Sequence, residues 1–209
     1  MNLTQFNVRG STQRALWGAV TGNLRAVTVT IIDNEIMLYF YYDKEPTENE
    51  VELSQIASTE VVSDFLVMIG EKQIVLPQPE PIPLMNGELV YHRYEGKPIP
   101  IVKTFFKDLT IFTAREVSER ILIGVITNNV RAVLITSHEN KLTLYFYYDK
   151  EPSNEEVIIS ESALQDLLAC FEGVTGSVKR FVVPEPENKS FRDNGSSVYW
   201  RYEEYLIDD

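Results

Sequence analysis

Leu38-Tyr-Phe-Tyr-Tyr-Asp-Lys-Glu-Pro46 recurs without a change as Leu144-Tyr-Phe-Tyr-Tyr-Asp-Lys-Glu-Pro152, at an offset of 106 residues. The run is aromatic and apolar, ends in a polar turn, and fixes the reading of everything around it. Upstream, Arg14, Gly18, Thr21, Asn23, Arg25, Ala26 and Val27 meet Arg120, Gly124, Thr127, Asn129, Arg131, Ala132 and Val133 at the same offset. Downstream, Pro77-Gln-Pro-Glu80 meets Pro184-Glu-Pro-Glu187, and Val90-Tyr-His-Arg-Tyr-Glu95 meets Val198-Tyr-Trp-Arg-Tyr-Glu203, after single-residue insertions. A period this long exceeds that of a solenoid repeat, about 20 to 50 residues, so each copy is a small domain in its own right. The chain therefore reads as two units, 1–97 and 98–209.

Each unit reads as α-β-β-α-β-β, an α+β layer of helices on antiparallel sheet. Ser11 or Thr12 is the expected cap of a first helix through Arg14–Val20, and Thr113 the cap of its counterpart through Arg115–Val125. Leu24–Ile32 and Glu35–Asp43 alternate with period two and are rich in β-branched and aromatic residues. Asp33-Asn34 between them suits a two-residue hairpin turn, a role that falls to Glu139-Asn140 in the second copy. A helix follows within 48–69, with Ile56, Ala57, Val61, Phe65 and Ile69 on one side. Thr47 with Glu50 and Ser153 with Glu156 have capping-box spacing, and Ser54 and Ser160 are alternative caps. Gln73–Leu76 and Glu88–Tyr94 read as two further strands, with the proline-rich connection between them blunting a sheet edge. Val102-Lys-Thr-Phe-Phe106 is a candidate short element of the second unit.

The hairpin register, with Thr28 opposite Tyr39 and Leu134 opposite Tyr145, separates two faces. Val27, Val29, Ile31, Ile36, Leu38 and Phe40 form a core face. The opposite face carries Tyr39 and Tyr41, and in the second copy Tyr145 and Tyr147. Tyrosine combines a large apolar body with a hydroxyl that needs a polar partner, so these four are either a partner-binding patch or a face packed on helices or on the other copy. Arg25 and Arg131 fall opposite Tyr42 and Tyr148 and beside Asp43 and Asp149, the pattern of structural ion pairs that close a strand end.

The net charge is −12. It divides evenly: residues 1–100 hold 7 Lys+Arg against 13 Asp+Glu, and residues 101–209 hold 12 against 18, so each part carries −6. Such a surface repels nucleic acid and acidic membranes and steers basic protein partners toward it. Cys170 is the one cysteine, which fits a reducing, cytoplasmic compartment. No apolar run reaches the roughly 20 residues of a membrane span, and the first residues lack an export-signal pattern.

Catalytic signatures are thin. His92 falls where the second copy has Trp200, and His138 has no histidine counterpart, so no histidine role is shared. Cys170 aligns with Asp64 and suits a small buried filler. No glycine-rich phosphate loop or Cys-x-x-Cys pair occurs, and no cofactor or metal is implied. The acids around Asp43–Glu50 and Asp149–Glu156 lack the ligand spacing of an EF-hand loop and suit helix N-termini instead.

At Asn23-Leu-Arg-Ala-Val27, Leu38–Asp43, and the later Pro-x-Pro and Val-Tyr-x-Arg elements, each copy resembles a group of short acidic bacterial proteins about one unit long. It is loosely similar to immunity partners of bacterial toxins. The resemblance implies the fold unit and brings no catalytic residues with it. The leading expectation is a non-enzymatic cytoplasmic binding module, an immunity-type inhibitor covering a basic toxin surface. The alternatives are a carboxylate-dependent hydrolase with its site between the repeats, and a structural homo-oligomeric module.

Overall fold

Leu24–Ile32 (β1) and Glu35–Tyr42 (β2) form the central hairpin of the first unit. Asp33 and Asn34 both take positive φ, 50° and 66°, as a two-residue turn that matches strand twist requires. The pairing runs Val27 to Phe40 and Thr28 to Tyr39, the register the alternation predicts. Val130–His138 and Lys141–Tyr148 repeat this hairpin in the second unit, with Leu134 opposite Tyr145 and Glu139 at φ 52°.

In this computed structural model, which describes residues 3–83, 87–96, 109–184 and 195–201, the chain divides into the units Met1–Arg93 and Tyr94–Asp209. The first runs α1 (Gln5–Ala15), β1, β2, α2 (Glu48–Phe65), β3 (Ile69–Val75) and β4 (Glu88–His92). The second runs α3 (Ile111–Ile121), β5 (Val130–His138), β6 (Lys141–Tyr148), α4 (Asn154–Leu168), β7 (Thr175–Val182) and β8 (Ser196–Trp200). Sheet order is β3-β2-β1-β4 in one and β7-β6-β5-β8 in the other. Each unit is thus α+β with the expected element order. The candidate element at 102–106 lies outside the described residues.

One ladder in each sheet departs from the antiparallel expectation. β3 runs parallel to β2, Ile69 beside Ile36 through Val75 beside Tyr42, and β7 runs parallel to β6. The cause is α2. A parallel neighbour needs a crossover rather than a hairpin, and α2, with its 18 residues, carries the chain back along the sheet before β3 begins. Both capping boxes form at the starts of these helices, Thr47 with Glu50 and Ser153 with Glu156, so the alternative caps Ser54 and Ser160 lie inside them. Ala57, Val61 and Phe65 of α2 are buried as expected, whereas Ile56 is exposed and Ile69 opens β3.

The first helix of each unit starts earlier than its pattern suggests. Thr4 caps α1 and Thr110 caps α3. Ser11 and Thr12, read as caps, are instead buried within α1. There the Thr12 hydroxyl donates to the Val8 carbonyl and the Ser11 hydroxyl to Asp64. Thr113, also read as a cap, is the third residue of a capping box with Thr110. Local polar side chains that satisfy themselves inside a helix imitate the composition of a helix start.

Val27, Val29, Ile36, Leu38 and Phe40 are buried, and so are Val133, Ile135, Leu142, Leu144 and Phe146. Each such side chain contributes about 1.5–3 kcal/mol of transfer free energy. These two sets form the expected core face of each hairpin.

Candidate partner-binding face

The duplicated signature first builds a scaffold. Glu50, at the third position of α2, gathers the Thr21 hydroxyl (2.7 Å), the Asn23 amide (3.1 Å) and the Thr47 backbone N–H (2.9 Å). Asn23 in turn accepts from the Lys44 backbone N–H at 2.9 Å. Glu156 repeats the set with Thr127 (2.6 Å), Asn129 (3.2 Å) and the Ser153 N–H (2.8 Å). One carboxylate thus ties the start of the first strand, the end of the second and the N-terminus of the long helix. Burial pushes both carboxyls up, but donation from the threonine, the capping N–H and the asparagine outweighs it and holds each below the ordinary glutamate range. Sequence reading assigned these glutamates only to helix capping. The shared Thr-x-Asn pairs, Thr21/Asn23 and Thr127/Asn129, were the available signal for the rest.

Arg25 and Arg131 are bulge residues. The register passes from Leu24–Tyr42 to Ala26–Tyr41, and from Val130–Tyr148 to Ala132–Tyr147, so each arginine is the extra residue rather than the partner of Tyr42 or Tyr148. The bulge sends the Arg25 guanidinium, 1% exposed, to the Leu76 carbonyl and, at 2.9 Å, to the Glu80 carbonyl. Its Nε lies 3.6 Å from Asp43 Oδ1. Asp43 also takes Arg93 as an ion-pair partner and accepts from the Gln78 backbone N–H at 3.2 Å. Burial raises the Asp43 carboxyl, while Arg93, Gln78 and Arg25 together bring it below its usual range. In the second unit Arg131 donates to the Val183 carbonyl. Both arginines therefore grip the exit of the edge strand into the proline-rich connection. Arg93 and Arg201, which donate to the Gly22 carbonyl (2.6 Å) and the Asn128 carbonyl (2.7 Å), were missed, although Val-Tyr-x-Arg stands in both copies.

The sheet face away from the core carries the four tyrosines, and they divide into two pairs. Tyr41 is 1% exposed and Tyr147 3%. The Tyr41 hydroxyl donates to the Pro83 carbonyl at 3.3 Å, and burial raises its pKa. Tyr147 belongs to a second apolar cluster with Ala132 and Leu134, against which Tyr145, Val183 and Trp200 pack. Tyr39 and Tyr145 are half-buried and each lies under a lysine: Lys72 Nζ is 5.9 Å from the Tyr39 ring centroid and Lys179 Nζ 5.3 Å from that of Tyr145. In the second unit Phe181 adds a stacked ring beside both tyrosines, at 6.4 Å from Tyr145 and 5.3 Å from Tyr147.

The remaining candidates lie apart. His92 pairs with Ala26 on β4, where Trp200 pairs with Ala132 on β8. His138 is at an exposed hairpin end, and Cys170 is buried after α4. Among the described residues no three His, Cys, Asp or Glu side chains converge as a metal site, and no helix is long and apolar enough to cross a membrane.

Two copies of one α+β unit, each with its low-pKa carboxylates bound into its own framework, define a tandem-duplicated protein whose distinguishing chemistry is on its sheet faces. The profile of the family described as MafI2 immunity protein matches residues 6–95 and again 115–203. The chain belongs to that family, in tandem, and has an immunity-type, protein-binding role. No curated protein matches. Among solved structures, Era in complex with MgGDPNP and nucleotides of 16S ribosomal RNA shares 13% identity over 85% of this chain and 90% of its own, with a TM-score of 0.33. That score is too low to carry any argument about this chain.

Proposed function

We propose that the chain is a non-enzymatic cytoplasmic inhibitor that binds a toxin through its acidic surface and covers a basic region of it. The observation that carries this reading is the family match over both copies, 6–95 and 115–203. The charge supports the finer part. A net −12, spread over both halves, attracts a cationic partner and speeds encounter, while desolvated aromatic side chains slow release. Tyr39 and Tyr145 are the two tyrosines of the outer faces with ring surface left to offer.

The carboxylates with the strongest environments, Asp43, Glu50 and Glu156, are engaged in holding strand ends and helix starts. That supports binding over acid–base catalysis. The test is stopped-flow association with a purified toxin, sought among the products of the neighbouring genes. We expect inhibition of the toxin and an association rate that falls on the order of ten-fold or more as salt rises from low to high ionic strength. A rate indifferent to salt would remove the charge-steered partner. A neighbouring toxin left fully active would remove the immunity reading itself.

A further inference from the structure

The outer faces of the two units share a backbone and differ in chemistry at the hairpin end. In the first unit Ile69 pairs with Ile36 and Ile32 with Glu35, and the Met68 carbonyl accepts from the Ile36 N–H at 3.0 Å. Met68, the residue just before β3, therefore extends the ladder by one position and falls in a row with Glu35 of β2 and Ile32 of β1, on the face that also carries Tyr39. The next row is Gly70, Met37 and Thr30. A Cβ at Gly70 would lie 2.4 Å from the Met37 sulfur, so the Met37 thioether rests across the glycine. Ile32 is 48% exposed, Met68 70%, and Leu66, just before them, 89%.

Leu66 adds an independent observation. It caps α2 in the left-handed region, at φ 54°, a conformation that disfavours a branched side chain and favours glycine. The second unit ends its helix differently, with Ala169 capping α4 at φ -64°, and places its left-handed residue later in the passage, at Gly173 with φ 69°. The backbone at Leu66 ends the helix, its N–H donating to the Val62 carbonyl at 2.8 Å. But the leucine side chain, 89% exposed, packs no core, and an apolar side chain kept at a strained position is a functional candidate.

Charge separates the copies further. The tip of the first unit holds Asp33 and Glu35. In the second, Lys141 stands at the position of Glu35, so its charge cancels that of Glu139. The equivalents of Ile32, Met68, Met37 and Gly70 are His138, Thr175, Thr143 and Ser177, with Thr143 and Ser177 hydroxyls 3.4 Å apart. One tip is apolar, rich in methionine and rimmed by carboxylates; the other is polar and electrically mixed. Methionine adapts to the contour of a partner, and an apolar centre inside a polar rim is the layout of a protein–protein interface.

We propose that the hairpin end of the first unit, through Ile32, Met37, Leu66 and Met68 with Asp33 and Glu35 around them, is the surface that docks the toxin, against a basic region bearing an apolar side chain. The inference rests on the immunity reading above and assigns it to one copy and one end. The test compares the full chain with two double variants, Ile32→Ser/Met68→Ser in the first unit and His138→Ser/Thr175→Ser in the second. All four positions are exposed, so circular dichroism should find both variants folded. Binding is measured by calorimetry with that toxin. We expect the first variant to lose at least ten-fold in affinity, the second to stay within two-fold, and Glu35→Lys to slow association. Equal binding by the first variant, or an equal loss in the second, overturns the inference alone. Failure of the unaltered chain to bind removes the immunity reading, and this inference with it. A homodimer that the first double variant disperses would assign the face to a second copy and overturn the toxin assignment.

Discussion

The two units agree inside and diverge outside. Thr21, Asn23, Thr47 and Glu50 make the same bonds as Thr127, Asn129, Ser153 and Glu156, to within a few tenths of an ångström. Arg25 and Arg131 are bulged at the same place. On the outer face, by contrast, Ile74 and His92 of one unit correspond to Phe181 and Trp200 of the other, and Met68 to Thr175. What duplication has kept is therefore the network that sets strand ends and helix starts. The identical nine residues, despite their aromatic content, are mostly framework: Phe40, Tyr41 and Tyr42 are all buried.

The largest expected effect tests whether the two arginine grips are equivalent. Arg25→Met leaves Asp43 to Arg93 and Gln78 but removes the donor from the Leu76 and Glu80 carbonyls, and each orphaned buried acceptor costs about 1–3 kcal/mol. Arg131→Met should cost a comparable amount in urea unfolding. A small loss at one site only would show that the copies share the bulge without sharing its energetic role.

Glu50→Gln and Glu156→Gln should each cost about 1–3 kcal/mol, because charge-assisted bonds become neutral ones. Both carboxyls titrate lower in the folded chain than in the unfolded one, so the folded chain binds fewer protons. Their stabilisation is complete above the ordinary glutamate range and is lost as pH falls through it toward the lowered folded values. Urea midpoints followed from neutral pH into acid should decline, and the Glu50→Gln/Glu156→Gln double variant should flatten that decline. An unchanged slope would mean that the latch contributes no linkage.

The smallest effect sharpens the contrast between tips. Leu66→Gly relieves the left-handed backbone and should raise stability by about 0.5–1 kcal/mol, read as a higher melting temperature. The same change removes an apolar contact from the proposed docking end, so toxin affinity should fall while stability rises. A variant that gains stability and keeps full affinity would leave Leu66 outside the interface.

Much of this was legible in the residues. Period-two alternation flanking Asp33-Asn34 gave the hairpin and its register, and Thr47-x-x-Glu50 gave the helix start, because those signals act between near neighbours. α1 was misplaced because Ser11 and Thr12 are buried and bonded within their own helix or to Asp64, a context the local composition conceals. The four tyrosines were legible as a face, yet their division into buried and half-buried pairs was not, since alternation specifies which side a residue takes and not what lies over it.

The sequence alone determined that the chain is one acidic unit written twice, with two faces to each hairpin and a capped helix after it. Only the tertiary structure decided that β3 returns parallel to β2, that Arg25 is squeezed out of register to hold the strand exit, and that Met68, Glu35 and Ile32 line up at one end. Those outcomes depend on which distant strands pair and in what direction, and pairing over such separations leaves no period in the chain that could announce it.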